Sequence, residues 1–230
     1  MPTCARPGGV SYLGATLAAL DRAGADGVAR CVLVDGPELP EVPAGWELLP
    51  GQPRRIGGTL QLWRAFRLAA ERSAERVLYC EDDITPCQNA IRYLLTLQIP
   101  EDVAFIDARV LREDLQGAPG LRRVELTQRR RPYWGTQALI LPLRTCEWLI
   151  GRDPLSLPIG DHEKHGDLIL GELAGRSPWP RYGAHLPRLV RHDGVVSSAH
   201  DGVSRPATAG WPGEAFDAMT IQATSAGAGR

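Results

Sequence analysis

Apolar residues along the first hundred positions alternate between two rhythms. In "YLGATLAALDRAG", Leu13, Leu17 and Leu20 stand three and four apart, the spacing that lines one face of a helix, and the run stops at Gly24. "RCVLVDG" follows as a short β-branched run closed by a turn, which predicts a strand. The cycle repeats: "TLQLWRAFRLAAERSA" sets Leu62, Ala65, Phe66 and Ala69 on one helical face, and "RVLYCEDD" is a strand running into three acids. A third helix, "PCQNAIRYLLTLQI", aligns Cys87, Ile91, Leu94 and Leu95, and "DVAFIDA" is a third strand. This β-α-β-α-β order predicts an α/β fold in which successive strands pair parallel, with helices flanking the sheet. Only "MPTCA" precedes the turn residues Arg6, Pro7 and Gly8, so the first strand is either very short or begins upstream.

Beyond Leu111 the rhythm loosens. "REDLQGAPGLRRVELTQRRRPYWG" is polar, punctuated by Gly and Pro, and reads as an irregular excursion carrying Arg129, Arg130 and Arg131. "TQALILP" is then a strand, "RTCEWLI" a short helix, "DPLSLPIGDHEKHG" a loop, "DLILGELA" a helix and "HLPRLVRH" a final strand. Residues 1–202 form one predicted domain. Residues 203–230, rich in Ala, Gly, Ser and Thr, are expected to be partly mobile.

Composition narrows the function classes. The 230 residues are 43% hydrophobic and 23% charged, enough to bury a core, and 25 glycines with 19 prolines point to many short connections rather than a coiled coil. A net charge of -1 supplies no global field for nucleic acid or an anionic membrane. The 26 basic residues include a single lysine, Lys164, so a P-loop is absent and amine chemistry has one candidate. Five cysteines (Cys4, Cys31, Cys80, Cys87, Cys146) form no CxxC pair, which argues against a disulfide framework or structural zinc and fits a reducing cytoplasm. No apolar run is long enough to span a membrane.

Three clusters carry candidate chemistry. Glu81, Asp82 and Asp83 end an apolar strand, at the edge where open α/β sheets bind ligands. The period of two turns Glu81 and Asp83 to one side and Asp82 to the other, and two converging carboxylates call for a hard cation such as Mg²⁺ or Mn²⁺. The competing explanation is an acidic turn in which Asp83 or Thr85 caps the next helix. In "PRLVRHDGVVSSAH", His192 ends a strand before Gly194, Ser197 and Ser198; it is either a metal ligand or an ordinary hydrogen-bonded histidine. In "PIGDHEKHGDLILGELAG", Asp161 and Asp167 flank a crowded loop with His162, Glu163 and His165, and Asp167 is either a helix-start acid favoured by the dipole or a general base aimed into a crevice. Asp35 ends "CVLVD" at the same sheet edge, as a nucleotide contact or a routine Asp-Gly turn; Arg6, Arg54, Arg55 and Arg64 either neutralise a diphosphate or form a solvated face, Arg64 having an acid partner as a further alternative; and Tyr133 and Trp134 follow the arginine run as an anion or sugar contact or as part of a solvated loop.

Taken in order, "CARPGGVSYLGATLAALDRAG", "VLVDG", "LWRAFRLAAERSAERVLYCEDDITPCQNAI", "WGTQALILP", "HGDLILGELA" and "PRLVRHDGVVSS" resemble a GT-A glycosyltransferase over about residues 3–200. The likeness is to small bacterial members and, more distantly, to the N-acetylglucosaminyltransferases that branch N-glycans, whose acidic motif also reads EDD. The resemblance implies a Rossmann-like single domain with a mostly parallel central sheet, and a metal-dependent hexosyl- or N-acetylhexosaminyl-transferase. Such an enzyme moves a sugar from a nucleotide diphosphate donor, UDP being expected, to an acceptor hydroxyl with inversion. Asp83 and His192 would bind Mn²⁺ or Mg²⁺, Glu81 or Asp82 would reach ribose or metal, and Thr3, Arg6, Asp35 and Arg64 would line the donor site. Asp167 is the first choice for base and Asp161 the second. A nucleotidyltransferase and a non-catalytic sugar-nucleotide-binding homologue are the alternatives.

Overall fold

The helical faces predicted by apolar spacing are the faces that are buried. The computed structural model describes residues 1–109, 115, 119–126, 132–161, 165–195 and 210–221. In chain order these form β1 (Pro2–Thr3), α1 (Leu13–Arg22), β2 (Cys31–Val34), β3 (Glu47–Leu49), α2 (Gly58–Glu71), β4 (Arg76–Cys80), β5 (Ile84–Pro86), α3 (Ala90–Thr96), β6 (Val103–Asp107), β7 (Gly120–Glu125), β8 (Ala138–Pro142), α4 (Leu143–Ile150), α5 (Gly166–Gly175), β9 (Arg181–Leu186) and β10 (Val190–His192). Leu13, Leu17 and Leu20 of α1 and Leu62, Ala65, Phe66 and Ala69 of α2 are all buried. No helix among the described residues is long and apolar enough to cross a membrane.

The fold is mixed α/β. β1, β2 and β3 make a three-stranded parallel sheet in that order, with Thr3 opposite Val34. The larger sheet runs β4-β8-β6-β9-β7, and here the expectation of mostly parallel pairing fails: only β6 and β9 are parallel, while β4/β8, β8/β6 and β9/β7 are antiparallel. The cause is the excursion after β6, which returns β8 between β4 and β6 from the opposite direction. It contains β7, a strand that the polar reading of this stretch passed over. "HLPRLVRH" is likewise two strands, since the chain turns at Pro187 and Arg188 and β10 leaves the sheet to pair antiparallel with β5.

Strands β6 and β8 are buried along their full length, so they read as continuous apolar runs with both faces covered. Alternate residues serve two cores. Leu139 and Leu141 pack with α2, α4 and α5 on one side, while Ala138 and Ile140 pack with α1 and α3 on the other. Within the segment set apart as a tail, residues 210–221 dock on the second core: Ala218 and Ile221 are buried, and Gln88 donates its N–H to the Glu214 carbonyl and accepts the Ala218 N–H. Residues 203–209 and 222–230 lie outside the described residues, as do Arg129–Arg131, His162, Glu163, Lys164, Ser197 and Ser198.

Strand β9 carries one buried titratable group away from the sheet edge. His185 is fully buried, its Nδ1 donates to the Pro187 carbonyl at 2.8 Å and its Nε2 accepts from the Tyr93 hydroxyl at 3.1 Å, a pairing that assigns the neutral Nδ1–H tautomer. Burial lowers its pKa to about 4. Between that value and the ordinary one the unfolded chain binds the extra proton, so stability falls as pH drops through this window, by roughly 3 kcal/mol in full. In urea denaturation at pH 7 and pH 4.5, the wild-type protein should lose this much stability relative to His185→Gln, which keeps a donor and an acceptor without a titrating ring; the comparison of the two proteins cancels the other groups that titrate in the same window.

Candidate functional site

The acidic run follows β4, whose ladder continues one step as the Glu81 N–H donates to the Gln137 carbonyl. The two-residue period then divides the three carboxylates. Asp82 turns toward β1, where it accepts the Thr3 hydroxyl at 2.5 Å and both ends of the Arg6 guanidinium at 3.0 and 2.5 Å. Arg6 also reaches Asp83 at 3.2 Å and lies over the Tyr12 ring. Thr16 of α1 fastens the backbone of the turn, its hydroxyl facing the carbonyls of Asp82 and Ile84 and accepting from the Ile84 N–H. The helix-capping explanation of the acids is overturned: residues 84–86 are β5, and α3 starts later, after Asn89 in a left-handed conformation.

Glu81 and Asp83 face the other way, and β10 brings His192 to them. Its register sets His192 opposite Ile84, and the Asp193 N–H donates to the Asp83 carbonyl. His192 Nε2 lies 3.1 Å from Asp83 Oδ2, and the ligand atoms of Glu81, Asp83 and His192 all fall within 4.8 Å of one another. Gly194 closes round them, since a Cβ there would stand 2.1 Å from Asp83 Oδ2 and 3.0 Å from the His192 ring. Among the described residues, Asp83 Oδ1 is buried without a hydrogen-bond partner. An orphaned carboxylate oxygen beside a second carboxylate and an imidazole is a donor set that can hold a divalent cation of the Mn²⁺ or Mg²⁺ kind.

Charge in this corner is tightly balanced. Burial and the Asp83 charge push the Glu81 carboxyl up to about 7, against the opposing hydrogen bond from the Thr136 hydroxyl at 2.5 Å. Burial works on Asp83 too, but the His192 hydrogen bond and the charges of His192, Arg6 and Arg109 outweigh it and hold that carboxyl below its usual range. Arg109, missed on sequence, is buried just past β6 with Glu81, Asp107 and Asp83 as its charge partners, and its own Nε is orphaned. Asp107 accepts the Arg109 N–H and the Tyr133 hydroxyl. For Asp107, unlike Arg109, a sequence signal existed: it ends an apolar strand, the position that marked Asp35.

The remaining predicted residues are arranged round the same edge with different employments. Asp35 is buried and accepts the N–H groups of Ile56 and Gly57 at 2.7 and 3.1 Å, which fixes the entry to α2. Among the described residues Arg64 pairs with no acid; it donates to the carbonyls of Val34 and Pro50 and ties α2 to the β2–β3 connection. Asp167, in the first turn of α5, accepts the Gly135 N–H at 3.1 Å and the Leu168 N–H at 2.8 Å, and burial raises its pKa. Gly135 precedes Thr136, the partner of Glu81, so a single short segment joins Asp167 to the cation cluster. Asp161 is exposed on the loop before α5. No family model matches this sequence, and no curated protein is found to match it.

The two neighbouring aspartates should separate in mutagenesis. Asp82→Ala leaves the buried Arg6 guanidinium only its single bond to Asp83 and should cost about 3–5 kcal/mol in chemical denaturation, whereas Asp83→Asn, which gives up the attraction of His192 and Arg6 but also relieves the repulsion on Glu81, should cost clearly less. In Mn²⁺ titration calorimetry, Asp83→Asn and His192→Ala should each weaken binding by at least about 100-fold, more than a supporting residue would. Gly194→Ala, which forces Asp83 aside, should weaken it as well.

Proposed function

We propose that this protein is a metal-dependent glycosyltransferase that moves a sugar from a nucleotide diphosphate donor, UDP being the expected carrier, to an acceptor hydroxyl. The observation that carries this reading is the convergence of Glu81, Asp83 and His192, with an orphaned oxygen on Asp83, beside the ends of the parallel strands β1 and β2, which bring Thr3 to Asp82 and place Asp35 next to Thr3. A divalent cation held by Asp83, His192 and Glu81 would offset the charge that builds on the leaving diphosphate.

The protein's own groups have distinct tasks. Asp35 spends Oδ1 on the Ile56 N–H and Oδ2 on the Gly57 N–H, with Arg55 Nε 3.8 Å from Oδ2, which leaves acceptor capacity on Oδ1 for a ribose hydroxyl. Arg6, committed to Asp82 and Asp83, keeps the acidic turn in place rather than facing the donor. Asp167 takes the proton of the acceptor hydroxyl while that oxygen bonds the anomeric carbon and the bond to the diphosphate breaks, which inverts the centre. Its raised pKa improves it as a base, and the two backbone amides aim it.

UDP should bind in calorimetry with Mn²⁺ and fail to bind with EDTA, and UDP-sugars should be consumed with Mn²⁺ present. Binding without turnover would leave a sugar-nucleotide-binding homologue, and absence of Mn²⁺-dependent UDP binding would sink the donor reading. Asp167→Asn should lower turnover by roughly 10²–10⁴ with UDP affinity intact. Because one of its two backbone bonds then meets an amide donor, a small drop in melting temperature should accompany the loss, and Asp161→Asn should change neither quantity.

A further inference from the structure

Trp134 is the one residue of the segment 132–136 whose large side chain stays in solvent, and everything around it is fixed. Tyr133 is buried, edge-on to Phe105 and Tyr182 with ring centroids 5.0 and 5.1 Å away, and its hydroxyl donates to Asp107. Gly171 of α5 comes so close that a Cβ there would lie 2.6 Å from the Tyr133 Cβ. On the other side Gly135, at φ 112°, donates its N–H to Asp167, and the Thr136 hydroxyl donates to Glu81. Trp134 between them is 48% exposed. A flat apolar ring held out on a rigid backbone gives up little entropy when a ligand covers it.

The neighbouring chemistry selects the ligand. The other exposed large apolar residues, Val28, Leu39, Leu155 and Val195, sit on four separate segments, so the described residues near Trp134 in sequence offer one ring rather than a broad apolar patch for a protein or lipid. The next residue along the backbone is held by a carboxylate: the Gly135 N–H that follows Trp134 donates to Asp167. A ligand that fits both has one small apolar face and a rim of hydroxyls, which describes a pyranose ring. We infer that Trp134 is a stacking platform for a carbohydrate acceptor and orients one of its hydroxyls toward Asp167. This rests on the transferase reading for the role of Asp167, while the platform itself is a binding site that stands without it.

The test reads sugar binding separately from donor binding. In a ¹⁵N spectrum of the whole protein the six indole N–H signals are resolved, and the one missing in Trp134→Phe is that of Trp134. Titration with methyl β-glucoside, methyl β-galactoside, methyl α-mannoside and methyl β-N-acetylglucosaminide should shift this signal with at least one glycoside while the other five indoles stay put. In transfer assays with UDP-sugar and the responding glycoside, Trp134→Ala should raise the acceptor KM at least tenfold and leave Mn²⁺-dependent UDP binding unchanged, and Trp134→Phe should restore most of the loss. No response of the Trp134 signal to any of the four glycosides, or an acceptor KM unmoved in Trp134→Ala, overturns the platform. A Trp134 signal that responds in a protein failing to bind UDP with Mn²⁺ upholds the platform and removes the donor reading instead.

Discussion

Burying carboxylates side by side is possible only where opposite charge is brought to them, and this constraint organises one whole edge of the molecule. Glu81, Asp82 and Asp83 leave β4 in succession, and their Coulomb repulsion grows as water is excluded. The chain answers with groups from distant places. Arg6 arrives from the turn after β1, His192 from β10 and Arg109 from the end of β6. The two-residue β1 and the three-residue β10 are too short to contribute much burial of their own. Their value is to deliver Thr3, Arg6 and His192 to the acids.

A second chain of contacts surrounds this edge from the α2 and α5 side. Asp35 pins the amides at the start of α2. The start of α5 then lies against α2, where a Cβ on Gly166 would meet the Thr59 hydroxyl at 3.2 Å. Asp167, one residue on, holds Gly135, and Thr136 closes on Glu81. The starts of two helices and the ends of β2 and β4 are thereby linked through side-chain-to-backbone bonds and close packing. A displacement of α5 has a direct route to Glu81, because only the peptide of Gly135 and the Thr136 side chain lie between.

What could be read in the sequence divides along physical lines. Helical faces were legible because a 3.6-residue period leaves a repeating mark, and α1 and α2 bury the predicted residues. The split of the acidic run was legible for the same reason, since the strand period alone sends Asp82 away from Glu81 and Asp83. Strand direction was not. "ALILP" is apolar whether it runs parallel or antiparallel to β4, and nothing in five buried residues records that the chain came back from the other end. β7 was hidden because an edge strand with half-exposed arginines carries little apolar alternation. Arg109 escaped because its importance lies in the charges it faces across the sheet edge, which spacing along the chain does not encode.

Asp82 and Asp83 show how one tripeptide can serve folding and ligand binding without conflict. Arg6 grips Asp82 with two bonds and Asp83 with one, so the structural half of the pairing survives when Asp83 turns its charge to a ligand. Had the guanidinium been bidentate to Asp83, occupation of the cluster would compete with the interaction that anchors β1. The alternation of a β-strand avoids that competition: a step of one residue is enough to put the anchoring carboxylate on one side of the backbone and the ligating one on the other. The orphaned oxygen belongs to Asp83, whose Oδ2 is shared by Arg6 and His192 while its buried Oδ1 keeps its acceptor capacity unspent among the described residues.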